Sequence, residues 1–169
     1  YLPDFSLEES LGLSTRAVLV GVDEVGRGPL AGPVTAAAVF VDRQKITSDL
    51  FTKIDDSKKI PQKQRATISK QIEGIAIIGI GWASSSEIDQ LNILEATMLA
   101  MQRAIFSLRK QIILDPDYIL IDGNKVPRLG FPSKAIVRGD EKSISIAAAS
   151  IVAKSKRDAF MTSLSKLYP

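Results

Sequence analysis

The run VLVGVDEVGRGPLAGPV, residues 18–34, sets the frame for the rest of the chain. It begins as β-branched apolar sequence and delivers two adjacent carboxylates, Asp23 and Glu24. It then passes through Gly26-Arg27-Gly28 to a second glycine turn, Gly32-Pro33. Two readings compete. In the first this is a hairpin whose turn exploits glycine's backbone freedom and whose charges face water. In the second, oxygen ligands for a hard divalent cation stand beside a guanidinium and exposed backbone N–H groups, a combination suited to a phosphodiester. The second uses every part of the segment and is preferred.

Composition narrows the chemistry. With 169 residues and 45% apolar content, the expectation is one domain whose core buries about two-thirds of the unfolded surface. The absence of cysteine and histidine excludes disulfides, thiolate nucleophiles, serine–histidine triads and the usual zinc sites. Any metal is therefore held by oxygen, which favours Mg²⁺ or Mn²⁺, or a structural Ca²⁺. The net charge of +3 is compatible with a polyanionic partner. No apolar run reaches the length of about 20 residues that spans a bilayer, and the acidic start, YLPDFSLEES, lacks a basic leader region. A cytoplasmic monomer with no membrane partner is expected.

Residues 1–16, with Leu7, Leu11 and Leu13 among acids, form an N-terminal extension read as one loosely docked helix without chemistry. Residues 17–22 and 34–41 are apolar enough to be neighbouring strands covered on both faces. Residues 54–59 are a polar loop. In it Asp55 and Asp56 are solvated, while Lys58 and Lys59 lie near the helix that Pro61 starts and could meet a phosphate. Residues 75–83 are a third strand, with Trp82 a core residue in preference to a base-stacking one. Residues 84–89 connect it, with Ser and Glu capping signals, to a long amphipathic helix carrying Leu94, Met98, Met101, Ile105 and Leu108. Asn92 at its start is either a cap, the commoner role, or a carboxamide aimed at a ligand.

Further acids follow at strand ends. Residues 118–121 form a strand that delivers Asp122, at the type of edge where α/β sheets open onto a ligand crevice. A short strand at 135–137 leads through Arg138-Gly139-Asp140 to a helix capped by Ser143. Asp158 lies about 22 Å further along that helix, so Asp140 and Asp158 cannot serve one metal pair. Asp140, which follows a strand end, is chosen. Asp158 with Arg157 reads as a structural ion pair or as support behind the site. Four crowded carboxylates raise one another's pKa unless divalent cations neutralise them, and two ions about 4 Å apart are the known answer for histidine-free phosphodiester cleavage. Adjacent side chains leave a regular strand on opposite faces, so Asp23 and Glu24 converge only if the pleat breaks.

The segment from Gly21 to Val34 resembles the N-terminal signature of ribonuclease HII, the type 2 ribonuclease H family. Collinear matches follow at Asp56-Ser57-Lys58-Lys59, Ile88-Asp89 with Asn92-Ile93, Ile121-Asp122-Gly123, Gly139-Asp140 with Lys142-Ser143, residues 146–154, and Arg157-Asp158. The resemblance implies an α/β ribonuclease H-like fold, a mixed five-stranded sheet flanked by helices, over residues 17–169. It implies metal binding and catalysis by Asp23, Glu24, Asp122 and Asp140 with two Mg²⁺ or Mn²⁺ ions. The substrates would be RNA/DNA hybrids and duplex DNA containing single ribonucleotides, cut 5' of the ribonucleotide to leave 3'-hydroxyl and 5'-phosphate ends. Gly26, Arg27 and Gly28 resemble the element that senses the ribose 2'-hydroxyl, and Ser57, Lys58, Asn92, Lys142 and Ser143 complete the expected substrate contacts. Arginine at position 27 and the short N-terminal segment favour this type over ribonuclease HIII. The family pattern continues past Tyr168-Pro169 to a lysine-glycine-tyrosine motif whose tyrosine stacks at the RNA–DNA junction, so a catalytic domain lacking its C-terminal segment is expected. A nucleic-acid-binding module gains nothing from four carboxylates beside phosphates. A small-molecule enzyme would need a phosphate-binding loop or dinucleotide fingerprint that is not here. Both rank below the nuclease.

Overall fold

A computed structural model of the chain describes residues 4–14, 16–28, 32–55, 59 and 61–168. In chain order it contains α1 (Ser6–Ser10), β1 (Leu19–Val25), β2 (Val34–Val41), α2 (Ser48–Asp55), α3 (Gln62–Ile75) and β3 (Ala76–Ala83). These are followed by α4 (Ser85–Leu91), α5 (Ile93–Arg109), β4 (Tyr118–Asp122), β5 (Ser133–Ile136), a one-turn 3-10 helix (Gly139–Glu141) and α6 (Ile144–Leu167). Among the described residues the strands form one mixed sheet in the order β3-β2-β1-β4-β5. β2 is antiparallel to both its neighbours, while β1, β4 and β5 run parallel. The mixed five-stranded sheet between helices matches the expected ribonuclease H-like fold.

The sequence of β2 accounts for the layering. Val34, Ala36 and Ala38 pack with α5, through Ala96, Ala100, Ala104, Met101 and Leu108. Ala37, Val39 and Val41 alternate to the other face and pack with α6, α2 and α3. A strand that is apolar at every position has no face to give to water. The α6 layer comes very near: a Cβ on Gly21 of β1 would run into the Ser145 carbonyl group.

Several elements differ from the sequence reading. β1 runs on to Val25, which still pairs with Thr35, so both acids lie inside the strand. Helix α2 occupies part of the expected loop; Leu50 and Ile54, one turn apart, are its buried stripe, and Thr47 Oγ1 accepts from Leu50 N–H at 3.1 Å. The connector after β3 is itself a helix, α4, held by a reciprocal capping box between Ser84 and Glu87. Trp82 is half-buried and packs on Phe160, with ring centroids 5.3 Å apart. The N-terminal helix is not loosely docked. Glu8 is 4% exposed, its Oε1 accepts from Ser143 Oγ at 2.5 Å, and the Asp4 carbonyl accepts from Ile144 N–H at 2.9 Å. These bonds pin α1 to the start of α6.

Candidate active site

The three parallel strands end side by side, and their ends carry the acids. Val22 pairs with Ile121, so Asp23 and Asp122 emerge from adjacent strands, and Asp122 pairs in turn with Ile136 at the end of β5. Arg138 then takes up a left-handed conformation, φ 55°. That bend turns the chain back into the 3-10 helix and brings its amides onto Asp122. Asp122 Oδ1 accepts from Gly139 N–H at 2.7 Å and from Asp140 N–H at 3.4 Å.

Alternation along β1 sends Asp23 toward α6, on the same side as Gly21. Glu24 leaves on the side of Val20 and Val22, which pack in the α5 cluster. The pleat does not break. The two carboxyl groups nonetheless share one electrostatic neighbourhood at the sheet's end. Asp23 is only 5% exposed, and its Oδ1 accepts from Glu24 N–H at 2.8 Å. Burial pushes its pKa well above the usual carboxylate range, and repulsion from Glu24, Asp122 and Asp140 adds to this. Burial also raises Glu24, reinforced by Asp122 and opposed by the Arg27 guanidinium. Asp122 is raised by burial and by Asp140, against the donated amides.

Buried anions that repel one another call for a cation. Glu24 Oε2 is buried without a hydrogen-bond partner among the described residues, and the donor set is all oxygen, so the residues fit a hard divalent ion. Among the described residues, no three acids are gathered tightly enough to enclose an ion as they stand.

The remaining expected site residues divide. Arg27 is exposed, with Nη1 3.7 Å from Glu24 Oε1, and Gly26 and Gly28 flank it at the end of β1. Lys142 is exposed next to the acid turn. Ser143, by contrast, is fully buried: its hydroxyl caps α6 by accepting from Ile146 N–H at 3.2 Å and donates to Glu8. It has no surface to offer a substrate. Asn92 is exposed, and its Oδ1 caps α5 by accepting from Glu95 N–H at 3.0 Å. Asp158 pairs with Arg65 of α3 at 3.1 Å, not with Arg157, because adjacent helical residues do not face each other. Ser57 and Lys58 lie outside the described residues. Sequence reasoning gave Glu8 no task and Arg157 only a partner; Arg157 Nε in fact donates to the Pro33 carbonyl at 3.1 Å.

The family model for ribonuclease HII matches residues 20–168. Ribonuclease HII of Paramagnetospirillum magneticum is 45% identical over 168 residues, covering 99% of this chain and 80% of its own. Among solved structures, the chain resembles that of the PCNA:RNase HII complex from Archaeoglobus fulgidus, with TM-score 0.74, 25% identity, and 89% of this chain and 76% of that one covered. Bst-RNase HIII in complex with Mn²⁺ shares the fold, with TM-score 0.78, 22% identity, and 89% and 55% covered. The matched region takes in all five strands and the turn bearing Asp140, so the chain belongs to the ribonuclease HII family and is an endoribonuclease of the ribonuclease H class, acting on RNA paired with DNA.

Proposed function

We propose that the chain hydrolyses the RNA strand of RNA/DNA hybrids and cuts duplex DNA 5' of single embedded ribonucleotides, leaving 3'-hydroxyl and 5'-phosphate ends, with two divalent ions held by Asp23, Glu24, Asp122 and Asp140. The observation that carries this reading is the buried Asp23, its pKa raised by burial and by three neighbouring acids at the ends of parallel strands. Mg²⁺ or Mn²⁺ bound there supplies Lewis-acid polarisation of the phosphate and a water acidic enough to attack at neutral pH. The protein's own residues do the rest. The Gly139 and Asp140 amides fix the Asp122 carboxylate, so one ligand is oriented before any ion arrives. Arg27, with the Gly26 and Gly28 backbone, contacts the ribose 2'-hydroxyl beside Glu24. Lys142 contacts a backbone phosphate, and Ser57 and Lys58 are assigned the same duty from the sequence motif alone.

The test is cleavage of a duplex containing one ribonucleotide, with product ends mapped, in Mg²⁺ or Mn²⁺ and in EDTA. A metal-dependent cut 5' of the ribonucleotide is expected. Robust cleavage in EDTA, or by a folded Asp122→Asn variant, would overturn the proposal.

A further inference from the structure

We propose that Arg157 is a positioning residue for substrate recognition: it ties both ends of the β1–β2 connection to α6 and so fixes where Arg27 meets the sugar. The proposal rests on reading Gly26, Arg27 and Gly28 as the sugar-sensing element. Three observations meet on this one side chain. Arg157 Nε donates to the Pro33 carbonyl at 3.1 Å. A Cβ on Gly26 would fall 2.6 Å from that same Nε and 2.6 Å from the Pro33 oxygen. A Cβ on Gly32 would fall 3.2 Å from Arg157 Nη2 and 2.9 Å from Met161 Sδ. The guanidinium thus fills the space that side chains at both ends of the connection would otherwise need. Both glycines are in the left-handed region, φ 102° and 131°, which lets the chain pass close around the side chain.

The tether has a direction. α6 begins directly after the turn that carries Asp140 and is continuous to Leu167. Arg157 therefore fixes the sugar-sensing end of β1 to the same rigid rod whose first turn follows the acids. A planar guanidinium can hold two strands of backbone apart and donate to one of them, which a lysine ammonium on a flexible stem does not reproduce. Asp158, its sequence neighbour, is directed away to Arg65, so the pairing of Arg157 with Pro33 is not a by-product of that ion pair.

The experiment compares Arg157→Ala and Arg157→Lys with the parent protein. Amide exchange at Val25 and Thr35, the last pair of the β1–β2 ladder, reads the tether without substrate, and is expected to quicken about tenfold or more in Arg157→Ala, as for a locally opened segment. Affinity, measured in Ca²⁺, for a duplex with one ribonucleotide relative to the same all-DNA duplex reads the recognition. That ratio is expected to fall about fivefold or more, as for lost recognition of one hydroxyl, while all-DNA affinity and Mn²⁺ affinity hold steady. Arg157→Lys, which keeps the charge and the helix, is expected to fall in between, and it carries the test if the alanine variant does not fold. Unchanged exchange overturns the proposal, as does an equal loss of affinity for both duplexes. A parent protein that does not discriminate the two duplexes would instead sink the sugar-sensing reading, and the exchange measurement would still decide whether Arg157 holds the connection.

Discussion

The Arg27 guanidinium lies 3.7 Å from the Glu24 carboxylate, with Arg27 half open to solvent and Glu24 nearly closed off. The exposed cation proposed to meet the sugar is therefore also the one that lowers the pKa of a buried acid otherwise raised by burial and by Asp122. On the roles proposed above, recognition and metal chemistry are electrostatically linked through this pair.

Arg27→Ala is expected to lower kcat/KM on a single-ribonucleotide duplex by about tenfold, the worth of one hydrogen bond of about 1.4 kcal/mol. Arg27→Lys preserves the charge near Glu24 and restores only part of the rate, because ammonium lacks the planar fork. Steady-state kinetics on the two variants checks this; equal activity of both with the parent would contradict it.

Asp23→Asn is expected to be inactive but folded, and more stable than the parent at neutral pH without metal. A carboxyl whose folded pKa is raised above its usual 3.8 contributes stability that is complete below that value and lost as pH rises through the folded pKa. The melting-temperature difference between variant and parent should therefore widen from acid to neutral pH. Mg²⁺ or Mn²⁺ should narrow it by stabilising the parent alone. A constant difference across pH would refute the account.

Glu8→Ala removes the acceptor for Ser143 Oγ and Ser145 N–H, and leaving such buried donors unpaired costs about 1–3 kcal/mol. Burial raises the Glu8 pKa, so the neutral Glu8→Gln variant keeps an acceptor and is expected to cost less than about 1 kcal/mol. Urea unfolding separates the two, and a Gln variant as unstable as the Ala variant would show that the charge matters.

Asn92 sits at φ 78° and caps α5. Asn92→Ala should cost about 1 kcal/mol and Asn92→Gly only a few tenths, with turnover of the folded protein unchanged in both. A specific fall in kcat/KM in Asn92→Gly would restore it to the substrate contacts.

Legibility in the sequence followed the physical reach of each signal. The strands β1, β2 and β4 were visible because they are buried runs, Asp23 and Glu24 because they are paired charges in such a run, and Asp122 and Asp140 because each lies beside a glycine at or after a strand end. Helix α2 escaped because Leu50 and Ile54 are its only fully buried residues, too few to set a period. The end of β1 was misplaced because charged residues signal a strand's end, whereas pairing of Val25 with Thr35 carries the strand past them. Ser143 matched a motif, yet its hydroxyl is spent on Ile146 and Glu8. Glu8, 135 residues away from that hydroxyl, and Arg65, 93 residues from Asp158, are partners that no local pattern encodes.

The pairing of Val22 with Ile121 also sets an order of events on the ribosome. A nascent chain that has released β1 and β2 can close their hairpin at once, but the groove where Asp23 meets Asp122 is missing until α2 to α5 and β4 have also emerged. The Asp140 turn, and the Ser143 hydroxyl that donates to Glu8, come later still. Loop closure of that length precedes any reward from the contacts it allows, so the paired acids of β1 stay ordinary solvated charges until β4 joins the sheet. The nuclease centre is thus a late product of folding, assembled from strands and a turn far apart in the chain.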